Sequence, residues 1–399
     1  MAISRRGRRF ALSLGLFVLA VPPVFAPARA GDAPTTLEAL GERLFFDTNL
    51  SKNRSQSCAM CHSPDHGFAD PRETAVGRAA SLGDDGKTLG DRNAPTAAYA
   101  RFAPPFGKGG DGRWRGGLFH DGRAADLEAQ AGGPPLNRKE MGMRDEAEVV
   151  ARLKENPDYV TAFRALFGDK TLDDAKAGYA AMTKALAAFE RTDIFAPFDS
   201  KYDRFLRGEA TLTEQEELGR VLFFSTQFTN CSECHRSQRD GTLEREVFTD
   251  HRFHNIGTPR NEALRRHNGT PRALRDKGLG DHPAFARDAT VEGMIKTPTL
   301  RNVAVTGPYM HNGVFADLRT VILFYDKYNA KSAARRINPE TGKPWAAPEN
   351  PRNLSLRELE IGPALSDKRV DALVAFLRTL TDKRYERLLD ASAAKAAAQ

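Results

Sequence analysis

Cys58-Ala59-Met60-Cys61-His62 and Cys231-Ser232-Glu233-Cys234-His235 decide how this chain reads. Two thiols three residues apart reach the two vinyl groups of one porphyrin as thioethers. The histidine that follows at once then sits under the iron as proximal ligand. Cys-x-x-Cys-His is the attachment signature of c-type haem. Alone, the motif also fits a redox dithiol or half a zinc site. Here it occurs twice, and the 399 residues hold only these 4 cysteines. That points to two covalent haems c. Zinc held by all four thiols leaves both histidines unexplained.

The sequence around the motifs repeats too. Leu40-Gly41-Glu42-Arg43-Leu44-Phe45-Phe46-Asp47-Thr48 leads into the first and Leu218-Gly219-Arg220-Val221-Leu222-Phe223-Phe224-Ser225-Thr226 into the second. Each predicts a short helix whose Leu and Phe face a haem, and two such repeats predict two homologous haem domains. Apolar residues at i, i+3, i+4 predict helices over 127–131, 146–154, 175–190 and 367–380. No run of alternating strands stands out, so the fold class is mostly α. We expect an N-terminal domain over 31–205 and a C-terminal domain over 206–391, linked through 195–212. Residues 102–113 and 335–352 read as loops and 392–399 as a frayed tail.

The first thirty residues read as an export leader. Arg5, Arg6, Arg8 and Arg9 precede an apolar run over 10–21, and Ala28-Arg29-Ala30 forms a cleavage site. The run is too short for a bilayer, which takes about 20 residues; an uncleaved anchor is the alternative. The expectation is a periplasmic protein with no membrane span after cleavage. The leader also carries five of the 59 basic residues and no acid. Without it, 54 bases face 52 acids, so the net charge of +7 argues poorly for nucleic-acid binding.

Further motifs carry a family resemblance. They are Arg92-Asn93-Ala94-Pro95-Thr96, Asp121-Gly122-Arg123-Ala124, Ala188-Phe189-Glu190-Arg191-Thr192, Thr297-Pro298-Thr299-Leu300-Arg301-Asn302 and Pro308-Tyr309-Met310-His311-Asn312-Gly313. With both haem motifs, and in this order, the chain closely resembles the di-haem bacterial cytochrome c peroxidase/MauG family over nearly its whole length beyond the leader. The resemblance implies two cytochrome c-like domains, one haem that reacts with peroxide, one that transfers electrons, and a calcium ion between them. It makes His62 the proximal ligand of the peroxide-reacting haem and His235 that of the second. It matches Gln130 and Glu140 to the distal-pocket polar residues and Pro134 to the pocket wall. It matches Asn93 and the carbonyls of Thr306 and Pro308 to the calcium ligands. The chemistry agrees: a carboxylate moves a proton between the peroxide oxygens while an amide orients them.

Three departures place the chain within that family. Peroxidases of the family put a Met, and MauG a Tyr, after the Pro-Tyr-x-His motif; here Tyr325 holds the position, with Met294, Met310 or His254 as alternative ligands. No histidine stands near 75–78 to cap the first haem. His120 replaces the tryptophan that relays electrons between the haems, so transfer must tunnel directly or use Trp114 or Phe119. Three readings compete. A MauG-like oxidase would pass oxidising equivalents to an aromatic side chain of a partner protein. A peroxidase would reduce hydrogen peroxide with electrons from a small cytochrome c or cupredoxin. The third reading is a di-haem electron carrier without catalysis. The first is favoured.

Overall fold

A computed structural model describes residues 32–236 and 244–389. The expected leader over 1–30 and the tail over 392–399 lie outside the described residues. Helices dominate, and six of the seven short strands among the described residues pair as three two-stranded antiparallel ribbons, such as Phe253–His254 against Ile295–Lys296. No helix among the described residues is long and apolar enough to cross a membrane.

The helices predicted over 127–131, 146–154 and 175–190 form as Leu127–Ala131, Glu146–Lys154 and Ala175–Glu190. Each starts at an aspartate whose side chain accepts a backbone N–H of the first turn, Asp126 from Ala129, Asp145 from Glu148 and Asp174 from Ala177. The last predicted helix forms as Asp367–Arg378. The expected link over 195–212 is not a bare connector. Ser200 and Asp203 close a capping box that starts helix Lys201–Leu206. Tyr202 of that helix is buried in the second core.

Buried side chains gather in two main clusters. One draws on residues between Leu40 and Phe198 together with Val247, the other on residues between Tyr202 and Leu380. The clusters are built alike. Helix Leu37–Phe46 crosses Ala175–Glu190 at Gly41, where an added Cβ would lie 1.9 Å from the Ala185 carbonyl oxygen and 2.8 Å from Phe189 Cβ. Helix Glu214–Phe224 crosses Asp367–Arg378 at Gly219, with the same 1.9 Å to the Ala372 oxygen and 2.8 Å to Phe376 Cβ. Only glycine allows backbones this close. Phe68 and Phe248 share a left-handed backbone, with φ of 54° and 55°. Thr96 donates to the Gly67 carbonyl at 2.6 Å, as Thr299 does to that of Val247 at 2.7 Å.

A buried ion pair lies where the two clusters meet. Arg301 is fully buried and meets Asp203 through two N–H groups at 2.6 and 2.9 Å. Its guanidinium also lies over the rings of Tyr99, Phe198 and Phe248. The motif arginine is therefore a structural pin, with its charge matched inside the protein.

Candidate haem sites

Each Cys-x-x-Cys segment is one helical turn, Cys58–Cys61 and Cys231–Cys234, that delivers both thiols and then the histidine. All four thiols are free. Burial pushes every one of them up, Cys61 to about 11. Without a partner the thiols stay protonated in these apolar surroundings, which suits a covalent link. Gln56 Nε2 and Arg72 Nη2 reach Cys61 Sγ at 3.1 and 3.3 Å. Neither residue was singled out by the sequence, because neither lies at a motif position.

The two histidines are held identically. His62 Nδ1 lies 3.2 Å from the Phe68 carbonyl, and His235 Nδ1 lies 3.0 Å from that of Phe248. A carbonyl only accepts, so Nδ1 carries the proton and Nε2 keeps a free lone pair. Burial lowers both imidazoles below their usual range, which keeps them neutral. A neutral ring oriented from its far side is what a metal-ligating histidine needs.

Around the second motif, Cys231, Cys234, His235 and Tyr325 line one cavity. Tyr325 comes from helix Leu318–Asp326. Its phenol is pushed well above its ordinary value, first by burial and then by the neighbouring Cys234 and Cys231. Met310 and His254 line the same cavity. Met294 does not; it packs with Phe253, Leu279, Phe285 and Val291. His254 is 3.4 Å from Asp250, and both stand beside Cys234.

Beside the first motif, Gln130, Pro134 and Glu140 share one turn-rich segment. The Gln130 carbonyl accepts from Gly133 and that of Pro134 from Met141. Asn137 Nδ2 donates to Glu140 Oε1 at 2.7 Å. Burial raises the Glu140 carboxyl above its usual range against opposing pulls from Arg123 and Asn137. Its charge is felt at Cys58 and Cys61, which puts it next to the first motif. A carboxyl at this position can hold a proton or give it up.

His120 lies between the halves. Its Nε2 donates to the Asn93 carbonyl at 2.9 Å, and its own carbonyl accepts from Lys296. Burial, then Arg92, lowers the ring to about 4. It is a neutral hydrogen-bond donor on the wall of the second cavity. Phe119 lines that cavity as well and packs on Gly133 of the first-site segment. Trp114 instead stacks on Phe106 and abuts Phe285, away from the cavity lining. Of the two aromatic residues weighed from sequence, Phe119 lines this cavity and Trp114 does not.

Asn93, Thr306 and Pro308 all line this cavity. Asn93 Nδ2 donates to the Arg78 carbonyl at 3.0 Å, which turns its amide oxygen the other way. Among the described residues the carbonyls of Thr306 and Pro308 accept no backbone hydrogen bond. Three uncharged oxygens of this kind suit a hard cation such as calcium.

Sequence reading missed the buried charge cluster behind this wall. Arg92 meets Asp276 at 2.6 Å, Asp121 at 2.6 Å and Asp281 at 3.2 Å. Arg265 and His311 also approach Asp276. Partners so distant in sequence leave no local signal.

Comparison with known proteins places this architecture. The family model described as di-haem cytochrome c peroxidase matches residues 35–211. The methylamine utilization protein MauG of Paracoccus denitrificans is 51% identical over 381 residues, covering 96% of this chain and 97% of that protein. The cytochrome c peroxidase Ccp of Escherichia coli is 34% identical over 276 residues, 69% of this chain and 50% of that one. Among solved structures, the diheme peroxidase BthA of Burkholderia thailandensis superposes with a TM-score of 0.78 at 35% identity, covering 88% of this chain and 87% of that one.

Proposed function

The chain belongs to the di-haem cytochrome c peroxidase family as a MauG-like oxidoreductase, and from that premise we propose that hydrogen peroxide reacts at the His62 site while oxidising equivalents leave through the His235 site. Residues 31–205 and 206–391 form the two cytochrome c-like haem domains, an assignment supported by the matched glycine crossings and the two main hydrophobic clusters. The leader directs the protein to the periplasm. Calcium, held by Asn93, Thr306 and Pro308, fixes the wall between the sites.

When bound, a c-type haem supplies an iron that accepts and returns electrons and can take peroxide at an open position. Everything else falls to the chain. Cys58 and Cys61, and likewise Cys231 and Cys234, anchor a porphyrin. His62 and His235 present Nε2 to it, each ring fixed through Nδ1. Glu140, oriented by Asn137, takes a proton from the near peroxide oxygen and delivers it to the leaving one. Gln130 orients the peroxide, and Pro134 closes the pocket wall. Tyr325 serves as the second ligand at the His235 site. An anionic phenolate favours higher oxidation states, where a methionine would raise the potential.

The presence of Tyr325 in one cavity with Cys231, Cys234 and His235 carries this reading over plain peroxide detoxification. Such a site stores oxidising equivalents for a partner protein oxidised on an aromatic side chain. The name of the Paracoccus relative, a methylamine utilization protein, supports a partner from that process. Small donors such as a cytochrome c or cupredoxin are the partners on the peroxidase reading. The two separate in one assay of the loaded protein: how fast peroxide consumes reduced cytochrome c. Rapid turnover would replace the MauG-like reading with the peroxidase one.

A further inference from the structure

The two halves differ in kind at one buried position. One helix runs on as Ala188-Phe189-Glu190-Arg191-Thr192, the other as Ala375-Phe376-Leu377-Arg378-Thr379. Gly41 packs on Ala185 and Phe189 as Gly219 packs on Ala372 and Phe376, so Glu190 and Leu377 are structural counterparts. Leu377 lines the cavity that holds His235 and Tyr325. Glu190 takes that place in the first half and is only 8% exposed. Among the described residues its carboxyl makes no hydrogen bond or ion pair, and its charge is felt at Cys58. An ionisable group where the sister site has a leucine is costly to bury, and nothing in peroxide positioning uses it.

We propose that Glu190 is the proton store of the first haem site, protonated while that site holds an electron and ionised once the electron has left. Loss of an electron leaves one extra positive charge at a buried site, and a carboxylate whose charge already reaches Cys58 compensates it. The step balances at one proton per electron. Glu190 O–H breaks, the proton goes to solvent and the carboxylate stays; when an electron arrives from a small donor protein, the proton returns.

The surroundings leave this carboxyl free to titrate. Burial raises it to about 8, with Arg191 pulling it down and Glu128 pushing it up. Arg191 is already engaged, gripping Glu128 through two N–H groups at 2.7 and 2.8 Å. Cys58 becomes a thioether once haem is attached and no longer ionises. Tyr179, on the same helix as Glu190, donates to the Gly132 carbonyl and stays neutral.

The inference rests on the assignment of a haem to His62, and the experiment separates the two. The loaded wild type, Glu190→Gln and Glu190→Leu are compared by haem count per chain and by spectroelectrochemical titration from pH 6 to 9. The wild-type first haem should lose up to about 59 mV per pH unit, the one-electron equivalent of a tenfold change. The slope should flatten in both variants while the second haem keeps its own. A pH-independent wild type, or an unchanged slope in Glu190→Gln, overturns the proposal. If the variants fail to load, redox-difference infrared spectra of the wild type decide. Loss of a protonated-carboxyl band on oxidation is expected, and its absence overturns the proposal. One haem per chain in the wild type would instead sink the His62 assignment.

Discussion

On the proposed reading Tyr325 and Glu140 carry the chemistry, and each makes a separate prediction. Replacing Tyr325 by Phe removes its phenol from the cavity of the second site. The loaded variant should lose the six-coordinate signature of that haem in optical and magnetic spectra. Tyr325→Met should keep six-coordination and raise its potential. Replacing Glu140 by Gln keeps the bond to Asn137 but not the exchangeable proton. The rate of reaction with peroxide should fall roughly 10²–10⁴-fold, with both haems still in place, as a stopped-flow trace would show. Both were assigned through the family resemblance, because a lone Glu or Tyr does not mark a site by its type and spacing. The role of Arg301 was not legible. Its motif gives no sign that the side chain is fully buried against Asp203. Glu190 was legible in principle, since aligning the two internal repeats puts it opposite Leu377.

Among the elements, the glycine crossings hold each half together. An alanine at Gly41 or Gly219 would drive its Cβ into a backbone carbonyl, which cannot rotate away as a side chain does. Gly41→Ala and Gly219→Ala should each cost at least about 1–3 kcal/mol, read as a lower midpoint in denaturant titration of the loaded protein. Equal losses would show that the two crossings do the same work. The amphipathic helices were readable because burial of one face sets their period. Helix Lys201–Leu206 was hidden in the expected linker because it is only 6 residues long and its start is set by a local capping box. The two-residue ribbons were hidden as well, since their pairing depends on tertiary neighbours.

For the whole molecule, the charge cluster at the junction sets the response to acid. His120 and His311 are held neutral by burial, at about 4 and about 3. Unfolded, each would take up a proton near its ordinary value of about 6.5. Their folded values are depressed, so the stability they support is intact above about pH 6.5. It is lost as pH falls toward the folded values, by up to about 1.4 kcal/mol per pH unit for each histidine. Asp121 and Asp276, held below their usual range chiefly by Arg92, add a loss only below about pH 4. Denaturant midpoints should therefore decline already between pH 6.5 and 4.5, and His120→Phe should shallow that decline. A profile flat down to pH 4.5 would contradict buried neutral histidines at the junction.

The central claim is that the first haem is open to peroxide and that the second, through Tyr325, retains oxidising equivalents. The most direct measurement mixes the fully ferric, loaded protein with hydrogen peroxide, without prior reduction, and follows the haem spectrum and then the consumption of added reduced cytochrome c. The account predicts an immediate, long-lived spectral change and slow cytochrome oxidation. A ferric protein that ignores peroxide until one haem is reduced, or that oxidises cytochrome c rapidly, would contradict it.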